Sequence, residues 1–210
     1  MNYSTRDLNK TVKFIIIHYT GMKCFKEAYK KLTHLKSDVS CHYLISRKGI
    51  IFNLLSPNLK AWHAGKSEWK NLKLLNDYSI GIELENKGHD HGYTSFTKGQ
   101  YNSLSKLISS LTFRYSINPA NILGHSDISP NRKKDPGELF EWRRIKSIVK
   151  VSTLKKLSID GMLIKYGFSK KYITNYKSLC ILAVKRKLGY RSINSTISKS
   201  FIKDFNHFIK

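Results

Sequence analysis

Few folds accommodate the stretch Val12 to Thr20, VKFIIIHYT. Its apolar, β-branched middle ends at Gly21 and reads as a buried strand. The longest apolar run in it, Phe14 to Ile17, is far too short to span a bilayer. His18 falls at the C-terminal end, which is where an open α/β sheet presents groups to a ligand. A second strand is expected over Ser79 to Asn86, SIGIELEN. There Ile80, Ile82 and Leu84 alternate with Gly81, Glu83 and Glu85, so the two carboxylates share a face with a glycine. A carboxylate on an otherwise buried strand is costly unless paired or functional, which singles out Glu83. Glu85 lies nearer the strand end and reads as a surface or supporting group. Gly81, on the same face, leaves room for something to approach the backbone.

The stretch Ile122 to Gly137, ILGHSDISPNRKKDPG, carries the densest chemistry. An apolar lead-in ends at Gly124, followed by His125, a turn-rich loop, a basic triplet and Asp135 before Pro136. Imidazole and carboxylate are good donors for a borderline metal such as zinc. Pro130 and Pro136 limit the shapes of the loop between them. Together with His18 they make two imidazoles and a carboxylate. Three protein ligands with a fourth position open is the catalytic zinc pattern, whereas a structural site is closed by four. Such a site needs a base for the attacking water and a cation for the developing oxyanion. Glu83 and Lys133 are the applicants. Trp62 and His63, in the loop AWHAG, suit the wall of a sugar or peptide cleft. His42 reads as a packing residue, and His89 and His91 as a solvated loop.

Around these motifs the pattern is α/β. Helices are expected over Lys23 to Lys36, from an N-cap at Thr97 to Tyr115, and over Leu139 to Val149. Cys41 to Arg47 and Ile50 to Leu55 form a hairpin across Lys48-Gly49. From about Val151 no strand-like run remains. Three helices are expected there, at Thr153–Tyr166, Asn175–Leu188 and Thr196–Ile209. The chain therefore divides into residues 1–150, a catalytic unit, and 151–210, a small basic helical module. The net charge is +24, and the last 60 residues hold 13 Lys+Arg against 2 Asp+Glu. That excess fits either a lysine-rich genome or a polyanionic partner, and no nucleic-acid motif accompanies it. Three cysteines without a C-x-x-C pair argue against a disulfide scaffold or a cysteine zinc knuckle. The polar start, MNYSTRDLNKTVKF, has no signal-peptide hydrophobic region. A cytoplasmic protein is expected from it, or one of the periplasm or cell envelope if a leader has been trimmed.

The motifs IIIHYTG, SCHYLISRKG, AWHAGKSEW, LNDYSIGIELENKG and GHSDISPNRKKDPG, in this order from about Lys13 to Trp142, resemble the zinc-dependent N-acetylmuramoyl-L-alanine amidases of the AmpD/AmiD type. That family is related to phage lysozyme-type amidases and peptidoglycan recognition proteins. The resemblance implies a central mixed β-sheet flanked by helices and one Zn2+ per chain on His18, His125 and Asp135. It puts the catalytic acid at Glu83 and the lysine at Lys133. It also implies hydrolysis of the amide joining the lactyl group of N-acetylmuramic acid, including 1,6-anhydro forms, to L-alanine of the stem peptide. Phage relatives carry tyrosine where this chain has Cys41 and a cysteine ligand where it has Asp135, so the chain follows the branch with acid and lysine. The tail resembles only loosely the helical peptidoglycan-binding module of AmiD-type enzymes. A bacterial monomer acting on peptidoglycan or muropeptides is expected, with a non-catalytic muropeptide-binding protein of the same fold as the alternative.

Overall fold

The Phe14-to-Ile17 run lies at the heart of the molecule. A computed structural model describes residues 2–7, 9–145 and 157–209. In chain order the elements are β1 (Tyr3–Thr5), β2 (Phe14–Tyr19), α1 (Phe25–Thr33), β3 (Tyr43–Ile45), β4 (Ile51–Asn53), β5 (Leu59–Ala61), β6 (Glu68–Trp69), β7 (Leu72–Lys73), β8 (Ser79–Leu84), α2 (Lys98–Tyr115), β9 (Ile122–Gly124), α3 (His125–Ile128), α4 (Ile159–Tyr166), α5 (Lys170–Leu188) and α6 (Lys199–Phe208). Five strands make one mixed sheet, ordered β4-β3-β8-β2-β9. Strand β2 runs parallel to β8 and β9, β3 runs parallel to β8, and β4 closes the edge antiparallel to β3.

Side-chain alternation along β2 splits the core in two. Ile15 and Ile17 cluster with Ile80, Ile82 and the α2 residues Leu104 and Ile108. Phe14 and Ile16 belong to a second cluster with Leu123 and Ile128, and with Met162, Leu163, Phe201 and Phe205 of the C-terminal helices. The sheet is thus covered on both faces, the layered solution for a strand with no polar side. Helices α4 to α6 are one of those layers. Stripping them away would return Phe14, Ile16, Leu123 and Ile128 to water, at about 1.5–3 kcal/mol for each fully buried side chain.

Local signals explain most boundaries. Thr97 caps α2 by accepting from Gln100 N, and the Gln100 side chain answers the Thr97 N–H in a reciprocal capping box. Ser158, Ser169 and Ser198 cap α4, α5 and α6 from one side only, each hydroxyl accepting a backbone N–H of the first turn. The helix expected over Leu139 to Val149 is not formed where it is described. Only a 3-10 turn, Trp142–Ile145, is present, and residues 146–149 lie outside the described residues. Phe140 and Trp142, both buried, pack edge to face at 4.8 Å, so aromatic packing and not a helical repeat sets the backbone there. Helix α5 starts at Lys170, ahead of the expected Asn175, with non-helical backbone at Tyr176. Residues 153–156 of the expected Thr153–Tyr166 helix lie outside the described residues. Among the described residues no helix is long and apolar enough to cross a membrane.

Candidate metal centre

Strand pairing brings distant residues together. Ile17 of β2 is in register with Gly124 of β9, so His18 and His125 leave neighbouring parallel strands side by side. The loop after α3 returns Asp135 to the same point. Ser126 N–H donates to the Asp135 carbonyl at 2.9 Å, and Lys133 N–H donates to Ser129 O at 2.9 Å. Gly124 permits this approach, because a Cβ there would lie 2.7 Å from Pro136 Cδ. Glu83 is the register partner of His18 on the other neighbouring strand.

His18 Nδ1 is 3.0 Å from His125 Nδ1 and 2.9 Å from Asp135 Oδ2, and His125 Nδ1 is 3.1 Å from the same oxygen. All three residues are buried. The outer nitrogen of each imidazole is already engaged: His125 Nε2 meets Ala64 O at 3.1 Å, and His18 Nε2 meets His63 Nδ1 at 3.0 Å. Burial, followed by the neighbouring His125, pushes the His18 pKa down to about 4. Burial opposes ionisation of Asp135 as well, but His125 and His18 overcome it and hold the carboxyl well below the usual range. His18 Nδ1, His125 Nδ1 and Asp135 Oδ2 converge on one shared point. Three convergent donors of this type are what a cation completes, and bonds of about 2.0–2.2 Å reach an ion between them. The residues present fit a metal of the zinc class, and these three form the metal-competent cluster among the described residues.

The cluster opens into a cleft of about 450 Å³ whose walls include Tyr19, Met22, Val39, His89 and the basic residues Lys31 and Arg132 to Lys134. Glu83 is half-buried on this wall, and its Oε2 has no hydrogen-bond partner. Burial, then the charge of Asp135, raises its pKa well above the usual carboxylate range, against the pull of Lys133. Lys133 lines the cleft and, among the described residues, makes no ion pair.

Other candidates sort clearly. Glu85 accepts the Arg47 N–H at 2.7 Å and fastens a turn. His42 accepts from Gly81 N and meets Leu59 O, a packing role. His63 is buried against His18, while Trp62 is not brought into the cleft. The indole of Trp62 donates outward to Ser4 Oγ at 2.9 Å, because adjacent residues of an extended loop point opposite ways. His89 is no solvated loop residue: it bridges Tyr19 Oη at 2.8 Å and the Glu138 carboxylate at 3.1 Å.

One supporting cluster carries no legible sequence signal. Asp127 of α3 is buried and accepts from Gly124 N at 2.8 Å and from Tyr166 Oη of α4 at 2.9 Å. Lys187 of α5 reaches in beside it. Its Nζ lies 3.7 Å from Asp127 Oδ2, donates to Ile122 O at 2.6 Å and sits 3.2 Å from the Trp142 ring centroid. The C-terminal helices thus grip the short helix that begins with His125.

Comparison with known proteins accords with this geometry. Residues 8–138 match the family described as N-acetylmuramoyl-L-alanine amidase. The chain belongs to that family. Among relatives of this amidase family, the chain is 38% identical over 146 residues to N-acetylmuramoyl-L-alanine amidase AmiD of Escherichia coli, covering 64% of this chain and 52% of AmiD. It is 39% identical over 127 residues to 1,6-anhydro-N-acetylmuramyl-L-alanine amidase AmpD of Citrobacter freundii, covering 60% of this chain and 65% of AmpD. The chain therefore spans between about half and two thirds of the length of these curated amidases. A solved complex of E. coli AmiD with its substrate anhydro-N-acetylmuramic acid-L-Ala-D-γ-Glu-L-Lys is similar at TM-score 0.78 and 27% identity, over 94% of this chain and 88% of that one. The mixed sheet with C-terminal helices is the architecture of these amidases.

Proposed function

We propose that this chain is a zinc-dependent amidase that cleaves the bond between the lactyl carbonyl of N-acetylmuramic acid and the nitrogen of L-alanine in peptidoglycan fragments, 1,6-anhydro forms included. The observation that carries the reading is the buried triangle of His18, His125 and Asp135 donors with Glu83 in register beside it. His18, His125 and Asp135 would hold the ion. Zinc in such a site acidifies a water and polarises a carbonyl.

The remaining chemistry belongs to the chain. Glu83, facing the cleft with a free carboxylate oxygen, takes the proton from the attacking water. A raised carboxyl pKa suits a group that accepts a proton and then returns it. The water oxygen bonds to the lactyl carbon, and the Lys133 ammonium meets the negative charge that develops on the carbonyl oxygen. The C–N bond then breaks, and the Glu83 proton passes to the alanine nitrogen, which departs as the amine. The lactyl carbonyl is left as a carboxylic acid whose proton, the second from the water, ionises to the amine or solvent. Lys31, Arg132 and Lys134 give the cleft a positive rim suited to stem-peptide carboxylates. In the same reading residues 1–150 carry the chemistry, and the exposed lysines of α4 and α5, including Lys165, Lys170 and Lys177, meet the acidic wall polymer.

The test is mass spectrometry of products from anhydro and intact muropeptides, with metal content measured in parallel. Glu83→Ala is expected to keep its zinc and lose about 10²–10⁴-fold in turnover, whereas His125→Ala loses both. Wild-type turnover by Glu83→Ala would overturn the assignment. Muropeptide binding by the wild-type chain without product release would point to a receptor instead.

A further inference from the structure

Two consecutive residues, His63 and Ala64, contact both imidazoles of the cluster. His63 Nδ1 lies 3.0 Å from His18 Nε2, and Ala64 O lies 3.1 Å from His125 Nε2. The dipeptide is itself fixed, since Asn76 Oδ1 accepts the His63 N–H at 3.1 Å and the Ala64 N–H at 2.7 Å. The other side of the His63 ring meets Ser79 Oγ at 3.1 Å, and that hydroxyl donates onward to Leu75 O. Gly81 makes the space: a Cβ there would lie 2.4 Å from His63 Cγ.

Donors and acceptors along this line admit one self-consistent assignment. The Ser79 hydroxyl spends its proton on Leu75 O, so its oxygen is free to accept from His63 Nε2–H. A neutral His63 then has a bare Nδ1, which accepts from His18 Nε2–H. His18 is left with a bare Nδ1 aimed at His125 and Asp135. A ligand histidine whose far nitrogen donates to a fixed acceptor has its tautomer and ring angle set.

We infer that His63 is a positioning residue of the metal centre, which holds His18 in the Nε2–H tautomer with Nδ1 presented to the ion, while Ala64 O does the same for His125. The inference rests on the zinc reading above. It takes His63 out of the substrate-binding set.

The experiment measures zinc affinity by competition with a chromogenic chelator for the wild type, His63→Leu and His63→Asn, and reads the histidine tautomers of the wild type by long-range 1H–15N NMR. His63→Leu removes the acceptor and is expected to bind zinc about 10–100-fold more weakly. His63→Asn keeps an acceptor oxygen near the Nδ1 position and is expected to restore most of that loss. Both His18 and His63 are expected to carry their protons on Nε2. Wild-type zinc affinity in a folded His63→Leu, or an Asn variant as weak as the Leu variant, overturns the inference. So does a proton on His63 Nδ1, a readout that depends on no variant folding. A wild-type chain that takes up no zinc fails earlier and brings down the zinc reading itself.

Discussion

Substituting Lys187 by methionine removes one half of a buried ion pair and leaves the other half in place. Losing one partner of such a pair costs about 3–5 kcal/mol, because the remaining charge is stranded away from water. Two details of the structure place the loss near the lower end. Asp127 keeps the Gly124 N–H and the Tyr166 hydroxyl as donors, and burial already raises its pKa, so it can take up a proton. Against this, the ammonium's contact with the Trp142 ring disappears, a cation–π interaction worth up to about 2 kcal/mol when desolvated. A net loss of about 3–5 kcal/mol is expected, which lowers the midpoint of thermal unfolding by about 6–20 °C in a chain of this size. The assay is urea and thermal unfolding followed by circular dichroism at neutral pH. Adding Asp127→Asn removes the stranded charge, and the amide can still accept from Gly124 N while donating to the Tyr166 oxygen. The double variant should therefore be more stable than Lys187→Met alone. A loss under about 1 kcal/mol for Lys187→Met, or strict additivity in the cycle, would refute the reasoning.

Other expectations follow from the same geometry. The Lys187 pKa is lowered to about 8 by burial, against the pull of Asp127. The unfolded chain thus binds more protons between about pH 8 and its ordinary value of about 10.4, and stability should rise with pH across that window. Comparing wild-type and Lys187→Met unfolding curves at several pH values isolates this slope, which the variant should lack. Lys133→Met should keep zinc and fold normally but lower kcat/KM by about 10²–10³-fold if the ammonium meets the oxyanion; an unchanged kcat/KM excludes that role. Gly81→Ala, a mild change for a strand, should weaken zinc binding as His63→Leu does, because its methyl occupies the His63 ring space, and chelator competition checks it. A chelator should abolish product release from muropeptides and added zinc restore it.

The parts of the fold readable in the sequence are those with an unmistakable period or cap. Phe14 to Ile17 and the alternation at Ile80, Ile82 and Leu84 mark the two central strands, and Thr97 marks the start of α2. Their endings led to His18 and Glu83, and the proline-bounded loop led to His125 and Asp135. Gly81 announced a close approach without naming the visitor, which is His63. Elsewhere tertiary contacts overrule local preference. Trp142 falls inside the helix expected over Leu139 to Val149 but is held by Phe140 and Lys187. Lys187 itself sits in a run, Lys185 to Lys187, that any charge count assigns to solvent, yet all three side chains are buried. Asp127 gave no warning because a short acidic residue after a strand reads equally well as a turn.

The pairing of His18 with Glu83 has an implication for how such a chain can change. Their separation is inherited from backbone hydrogen bonds between parallel strands, so swapping the surrounding side chains alters the reactivity of the pair without moving it. A single-residue deletion within Ser79 to Ile82 does the opposite: it rotates the acid to the α2 side and offers an aliphatic chain to the cleft. Insertions and deletions in this lineage should therefore collect in the loops beyond the strand and spare the strand's own length, even where its composition drifts.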